Sequence, residues 1–155
     1  MNKEFMQLAI ETALDNIKNN NGGPFGAVII RDGVIIAKSP NTVTSSNDPT
    51  AHAEINAIRL ACKKLNTFDL SGCEIYSSCE PCPMCLSAIY WARISKLYYA
   101  ADRFDAKDAG FDDSYIYNEI SLSEKERSIY IENIMKKEGQ DPFELWKETD
   151  NKTQY

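Results

Sequence analysis

The sequence predicts an α/β fold in which a mixed sheet lies between layers of helix, and three features predict it. A stripe of helical period opens the chain, an Asp-Gly turn joins two β-branched runs, and beyond them helical segments alternate with short strands. The turn implies an antiparallel hairpin. The alternation implies parallel pairing through right-handed crossovers, with helices on either face. The expected architecture is therefore a three-layer αβα sandwich around a five-stranded mixed sheet.

Met6, Ile10, Ala13, Leu14 and Ile17 recur at helical spacing with polar residues between them, which predicts an amphipathic helix ending near Asn19 to Gly23. Phe25 to Ile30 and Val34 to Lys38 are strands joined through Arg31-Asp32-Gly33. Asn47-Asp48-Pro49-Thr50 offers a cap and an N1 proline before the apolar stripe Ile55, Ile58, Cys62 and Leu65, so His52 and Glu54 are expected in that helix's first turn. Cys73 to Ser78 reads as a short strand, Cys82 to Arg93 as a nearly all-apolar helix, and Lys96 to Ala101 as another strand. In the last third, Ser114 to Ile120 reads as helix, Ile129 to Ile134 as the fifth strand and Pro142 to Thr149 as a terminal helix. Gly139-Gln140-Asp141-Pro142 is the one plausible hinge.

With 155 residues, 43% of them hydrophobic and 26% charged, the chain is expected to form one domain over residues 1–155 with a real core. Its first residues carry an acid and lead into the amphipathic stripe, with no uninterrupted apolar run, so a soluble cytoplasmic protein with no membrane partner is expected. A formal charge of −6 and a pI near 4.8 disfavour a nucleic-acid partner, which needs clustered Lys or Arg to displace counterions, and favour a small neutral substrate. The five cysteines are an odd number with no secretion signal ahead of them, which argues against a disulfide framework.

The chemistry concentrates in His52-Ala53-Glu54 and Cys82-Pro83-Met84-Cys85; His52 is the only histidine. An imidazole and two thiolates are the donors that zinc selects, and three protein ligands leave a fourth tetrahedral position for water. Residues i and i+2 of a helix point about 200° apart, so His52 and Glu54 can converge only at a first turn, where side chains lean beyond the helix end. Cys82 and Cys85 share a face. A helix N-terminus aimed at the metal would lower thiolate pKa values, and a carboxylate near the metal but not bound to it can move the water's protons. The sharper rival is a structural site closed by Cys79, making a non-enzymatic zinc module. Against it, Glu80-Pro81 favours extended backbone that should carry Cys79 away. A redox Cys-x-x-Cys would leave His52 and Glu54 with nothing to do.

The H-x-E and P-C-x-x-C elements resemble the signature of zinc-dependent deaminases. Three blocks, Asn47 to Leu65, Ser77 to Ile94 and Ala100 to Ile120, together with Gly22 to Val28 and Tyr155, resemble the bacterial guanine deaminases of the cytidine deaminase-like superfamily. The first two blocks also occur, with variation, in transfer-RNA adenosine deaminases, an alternative that the acidic charge and the third block disfavour. Ser87 departs from related sequences, which often carry glycine there. The resemblance implies a cytidine deaminase-like five-stranded sheet, hydrolysis of guanine to xanthine and ammonia, and a homodimer exchanging C-terminal segments from about residue 140. It assigns His52, Cys82 and Cys85 to one zinc ion per subunit and proton transfer to Glu54. It also assigns Phe25 to stacking on the base, Asn41 to its edge, Asp113 to its amino group, Trp91 to the pocket wall, and Tyr155 to closing the pocket from the partner subunit. Guanine presents adjacent N1–H and amino donors, which a carboxylate such as Asp113 accepts as a pair.

Overall fold

In this computed structural model, which describes residues 2–154, the chain falls into two compact units, Met1–Asp113 and Ser114–Tyr155. The first unit begins with helix α1 (Lys3–Lys18), whose cap residue Asn2 accepts the Glu4 N–H at 2.9 Å and so satisfies a donor that every helix start leaves orphaned. Strands β1 (Gly26–Arg31) and β2 (Val34–Pro40) form the expected antiparallel hairpin. Its turn holds Asp32 at φ 51° and Gly33 at φ 76°, the left-handed pair that a two-residue hairpin requires and that Asp-Gly adopts at least steric cost.

The sheet order is β2-β1-β3-β4, with β3 (Cys73–Cys79) antiparallel to β1 and β4 (Lys96–Ala101) parallel to β3. β1 thus runs against its companions and separates β2 from β3. Alternation divides the strands between two cores. Ala27, Ile29 and Ile75 pack with Ala53, Ala57 and Ala61 of helix α3 (Ala53–Leu65) and with Ile89 of helix α4 (Pro83–Trp91). Val28, Ile30 and Tyr76 pack with Ala9, Phe5, Met6 and Leu8 of α1. Helices therefore cover both faces of the sheet. They approach it closely: a Cβ on Gly26 would collide with the backbone of Ala9 and Ala13. On the opposite face the fully buried stripe Ala53, Ala57 and Ala61 lets α3 settle on the sheet, which brings the first turn of α3 close to β3.

Two expectations are corrected. Among the described residues the sheet has four strands rather than five. The run from 129 to 134 pairs with no strand; Ile129 is 66% and Tyr130 85% exposed, and β-branched composition without a paired edge does not make a strand. Nor does Pro49 open α3. A short helix α2 (Val43–Ser46) precedes it and ends in left-handed Asn47, while Asp48 accepts both the N–H and the hydroxyl of Thr50, at 2.8 and 2.7 Å. These local side-chain bonds compete with helix formation, and α3 starts later with His52 as its N-cap.

Beyond β4, helix α5 (Arg103–Asp108) is capped by Asp102, which accepts from the Phe104 and Asp105 N–H groups at 2.8 and 3.0 Å. The second unit holds α6 (Ser114–Ser121), single 3-10 turns at Glu124–Glu126 and Glu138–Gln140, and α7 (Asp141–Glu148) with Pro142 in its first turn. None of its described residues is buried, and Phe143 and Leu145 are each 67% exposed. Among the described residues no helix is long and apolar enough to cross a membrane.

Candidate metal centre and active site

His52 and Cys82 occupy equivalent positions, each the N-cap of a helix, α3 and α4 respectively. Their backbones are extended, with φ −66° and ψ 156° at His52 and φ −62° and ψ 168° at Cys82, and neither side chain turns back to cap its own helix. Pro83 at the start of α4 presets φ and needs no hydrogen-bond partner there. Both side chains are therefore free to lean past the helix ends, and Cys85 on the first turn of α4 joins them. His52 Nδ1 lies 3.6 Å from Cys82 Sγ and 3.4 Å from Cys85 Sγ, and the three donor atoms lie within 4.8 Å of one another. Zinc bonds of about 2.0–2.1 Å to nitrogen and about 2.3 Å to sulfur, at a tetrahedral angle, need an N···S separation of roughly 3.6 Å. The donor set fits zinc.

Cys79 stands apart from this group. Its thiol donates to the Asp102 carbonyl at 3.5 Å, and burial pushes its pKa up to about 11. The Glu80 N–H continues outward to the Ala101 carbonyl at 2.8 Å, the extended course that Pro81 favours. Cys82 is different: the hydrogen bond from Cys85 and the adjacent His52 pull its thiol down to about 4 against the opposing effect of burial. Cys85 is correspondingly driven far up, by its bond to Cys82, by burial and by Glu54. His52 is raised, chiefly by its bond to Cys82. These shifts favour the thiolate on Cys82 and retention of the proton on Cys85.

Glu54, in the first turn of α3, is 5% exposed. Its Oε1 accepts the Ser77 hydroxyl at 2.9 Å and its Oε2 accepts the Cys85 thiol at 3.4 Å; burial raises its carboxyl above the usual range. Asp113, half-buried beyond α5, is likewise raised, by burial and then by Cys82, so it lies within electrostatic reach of that thiol. Phe25 precedes β1 and meets Phe111 edge-on, with ring centroids 5.0 Å apart at 85°. Asn41 is buried; its N–H donates to the Phe25 carbonyl at 3.0 Å and its Oδ1 accepts the Val43 N–H at 3.1 Å, which fixes the amide so that its NH2 is the end it can offer a ligand.

Trp91 is not brought to this group. It ends α4, at the far end from Cys82, 68% exposed beside Ser87, Tyr90 and Arg93. Tyr155 lies outside the described residues. The sequence reading missed Asn16, whose amide donates at 2.8 Å to both the Gly23 and Asn41 carbonyls and ties together the segments carrying Phe25 and Asn41. Its place on the polar side of the opening stripe gave no sign of this. Phe111 lies two residues before Asp113, but no spacing rule separates it from the aromatic residues around it.

A mixed sheet that presents one imidazole and two thiols from adjoining helix N-termini, with a buried glutamate beside them, defines the class of zinc-binding deaminases. Residues 1–101 match the cytidine and deoxycytidylate deaminase zinc-binding region, and the chain belongs to that family. It is 52% identical over 156 residues to guanine deaminase of Bacillus subtilis, covering 100% of both chains. An X-ray structure of guanine deaminase from Bacillus subtilis superposes with a TM-score of 0.97 at 51% identity, covering 100% of this chain and 99% of that one. A tRNA-specific adenosine deaminase of Aquifex aeolicus is 43% identical over 111 residues, 71% of this chain and 72% of that protein.

Proposed function

We propose that this chain hydrolyses guanine to xanthine and ammonia. The observation that carries the reading is the full-length likeness to a guanine deaminase, which extends past the zinc-binding region, whereas the likeness to the Aquifex transfer-RNA enzyme covers 71% of the chain. The electrostatic influence of Cys82 on Asp113 supports it. His52 Nδ1, Cys82 and Cys85 are the zinc ligands. Bound there, zinc would supply Lewis acidity and lower the pKa of a water toward neutrality.

The remaining work falls to side chains. Asp113 accepts the N1–H and amino hydrogens of guanine, a donor pair that adenine and cytosine lack. The Asn41 NH2 donates to the acceptor edge of the base. Phe25 stacks on the ring, its plane held by Phe111. Glu54 takes one proton from the attacking water and delivers it to a ring nitrogen, then takes the second from the added hydroxyl and passes it to the C2 amino group, which departs as ammonia as the C–N bond breaks. Apart from water, nothing else is consumed.

Tyr155 closes the pocket across a homodimer that exchanges C-terminal segments. Support for exchange lies in the second unit, where Phe143 and Leu145 stand exposed and no described residue is buried, a pattern that calls for a covering surface.

Two experiments test these readings. Ammonia release from guanine, guanosine, adenine and cytosine should favour guanine, and preference for another substrate overturns the assignment. A chain ending at Gly139 should lose dimerisation by light scattering and lose turnover with it. Full activity in the shortened chain removes the exchanged segment from the mechanism.

A further inference from the structure

We infer that Ser77 is a positioning residue for proton transfer: its hydroxyl anchors Oε1 of Glu54 and leaves Oε2 as the oxygen that carries protons. The inference rests on the reading of Glu54 as proton carrier and goes beyond it by naming the atom and what selects it.

Ser77 is 2% exposed, and its backbone is held from both sides, paired with Ala27 of β1 and with Tyr99 of β4. A residue in the middle of a sheet has little freedom to follow a moving side chain, so its hydroxyl is a fixed donor. That donor lies 2.9 Å from Oε1, while Oε2 is the oxygen turned to Cys85, one of the metal-ligating thiols, at 3.4 Å. A carboxylate in a helix's first turn has rotatable bonds enough to present either oxygen to a ligand. A single buried hydrogen bond from the sheet breaks that symmetry. The close seating of α3, which the Ala53, Ala57 and Ala61 stripe allows, brings the glutamate within reach of a side chain as short as serine.

The test uses the zinc-loaded full-length chain and the variants Ser77→Ala, Ser77→Thr, Ser77→Val and Glu54→Gln. Hydrogen bonds to charged groups are among the stronger ones in proteins, so Ser77→Ala should lower kcat on the order of tenfold to a hundredfold, with KM for guanine and zinc content unchanged. Thr and Val have nearly equal volume and differ in the hydroxyl; Ser77→Thr should recover kcat and Ser77→Val should not. A second readout needs no turnover. The Glu54 carboxyl band, isolated as the infrared difference between wild type and Glu54→Gln, should shift in Ser77→Val and stay in place in Ser77→Thr. Wild-type kcat in Ser77→Ala, or equal recovery by Val and Thr, overturns the inference while leaving Glu54 as the proton carrier. Activity retained in Glu54→Gln overturns both.

Discussion

Replacing Glu54 by glutamine is expected to cut turnover of guanine by roughly a hundred- to ten-thousand-fold, the range over which positioned acid–base groups act, while the protein keeps its zinc. Glutamine has the shape of glutamate, and its amide oxygen can still accept the Ser77 hydroxyl that Oε1 accepts at 2.9 Å. What it cannot do is take up and release a proton near neutral pH. The site is otherwise preserved, because glutamine fills the same volume and spares the desolvation cost of a buried ionisable group. Single-turnover ammonia release together with zinc stoichiometry provides the check. An active Glu54→Gln enzyme would take proton transfer away from this residue. Loss of zinc in the variant would instead make Glu54 part of the metal's support and leave its chemical role unproved.

Much of this was legible in the sequence because the controlling signals are local. His52-Ala53-Glu54 and Cys82 to Cys85 sit at helix starts, where i, i+2 and i, i+3 spacings suffice to converge on one point, and the structure brings them together. The Asp-Gly turn likewise identified the hairpin. The misreadings arise where long-range or competing local contacts decide. Pro49 had every mark of a helix start, yet the Asp48–Thr50 bonds hold it outside α3. The run from 129 to 134 has the residues of a strand, but strand formation depends on an available edge, which no spacing in the run encodes. Asn16, Ser77 and Phe111 were missed for a related reason. Each acts across 23 or more positions of sequence, on Asn41, Glu54 and Phe25 respectively, and no residue pattern marks a contact of that range.

Cys82→Ser should abolish zinc binding and reduce turnover to background, whereas Cys79→Ser should retain one zinc per chain. Serine is a favoured N-cap, so α4 should still begin at Pro83 in the first variant, and its fold should survive the loss of the ligand. The hydroxyl is nevertheless a poor substitute for a thiolate that the site already holds down to about 4. Cys85, whose thiol is driven up, must give up its proton to bind the metal, and the raised His52 competes for a proton more strongly than a free imidazole; zinc affinity should weaken as pH falls, which a competition titration with a chromophoric chelator would follow. Cys79→Ser changes a buried thiol that bonds to the Asp102 carbonyl, an acceptor serine can also satisfy, and leaves the three donors untouched. If zinc departs with Cys79 instead, the metal has four protein ligands and no position for a reacting water. A hydrolytic mechanism at this centre would then be untenable.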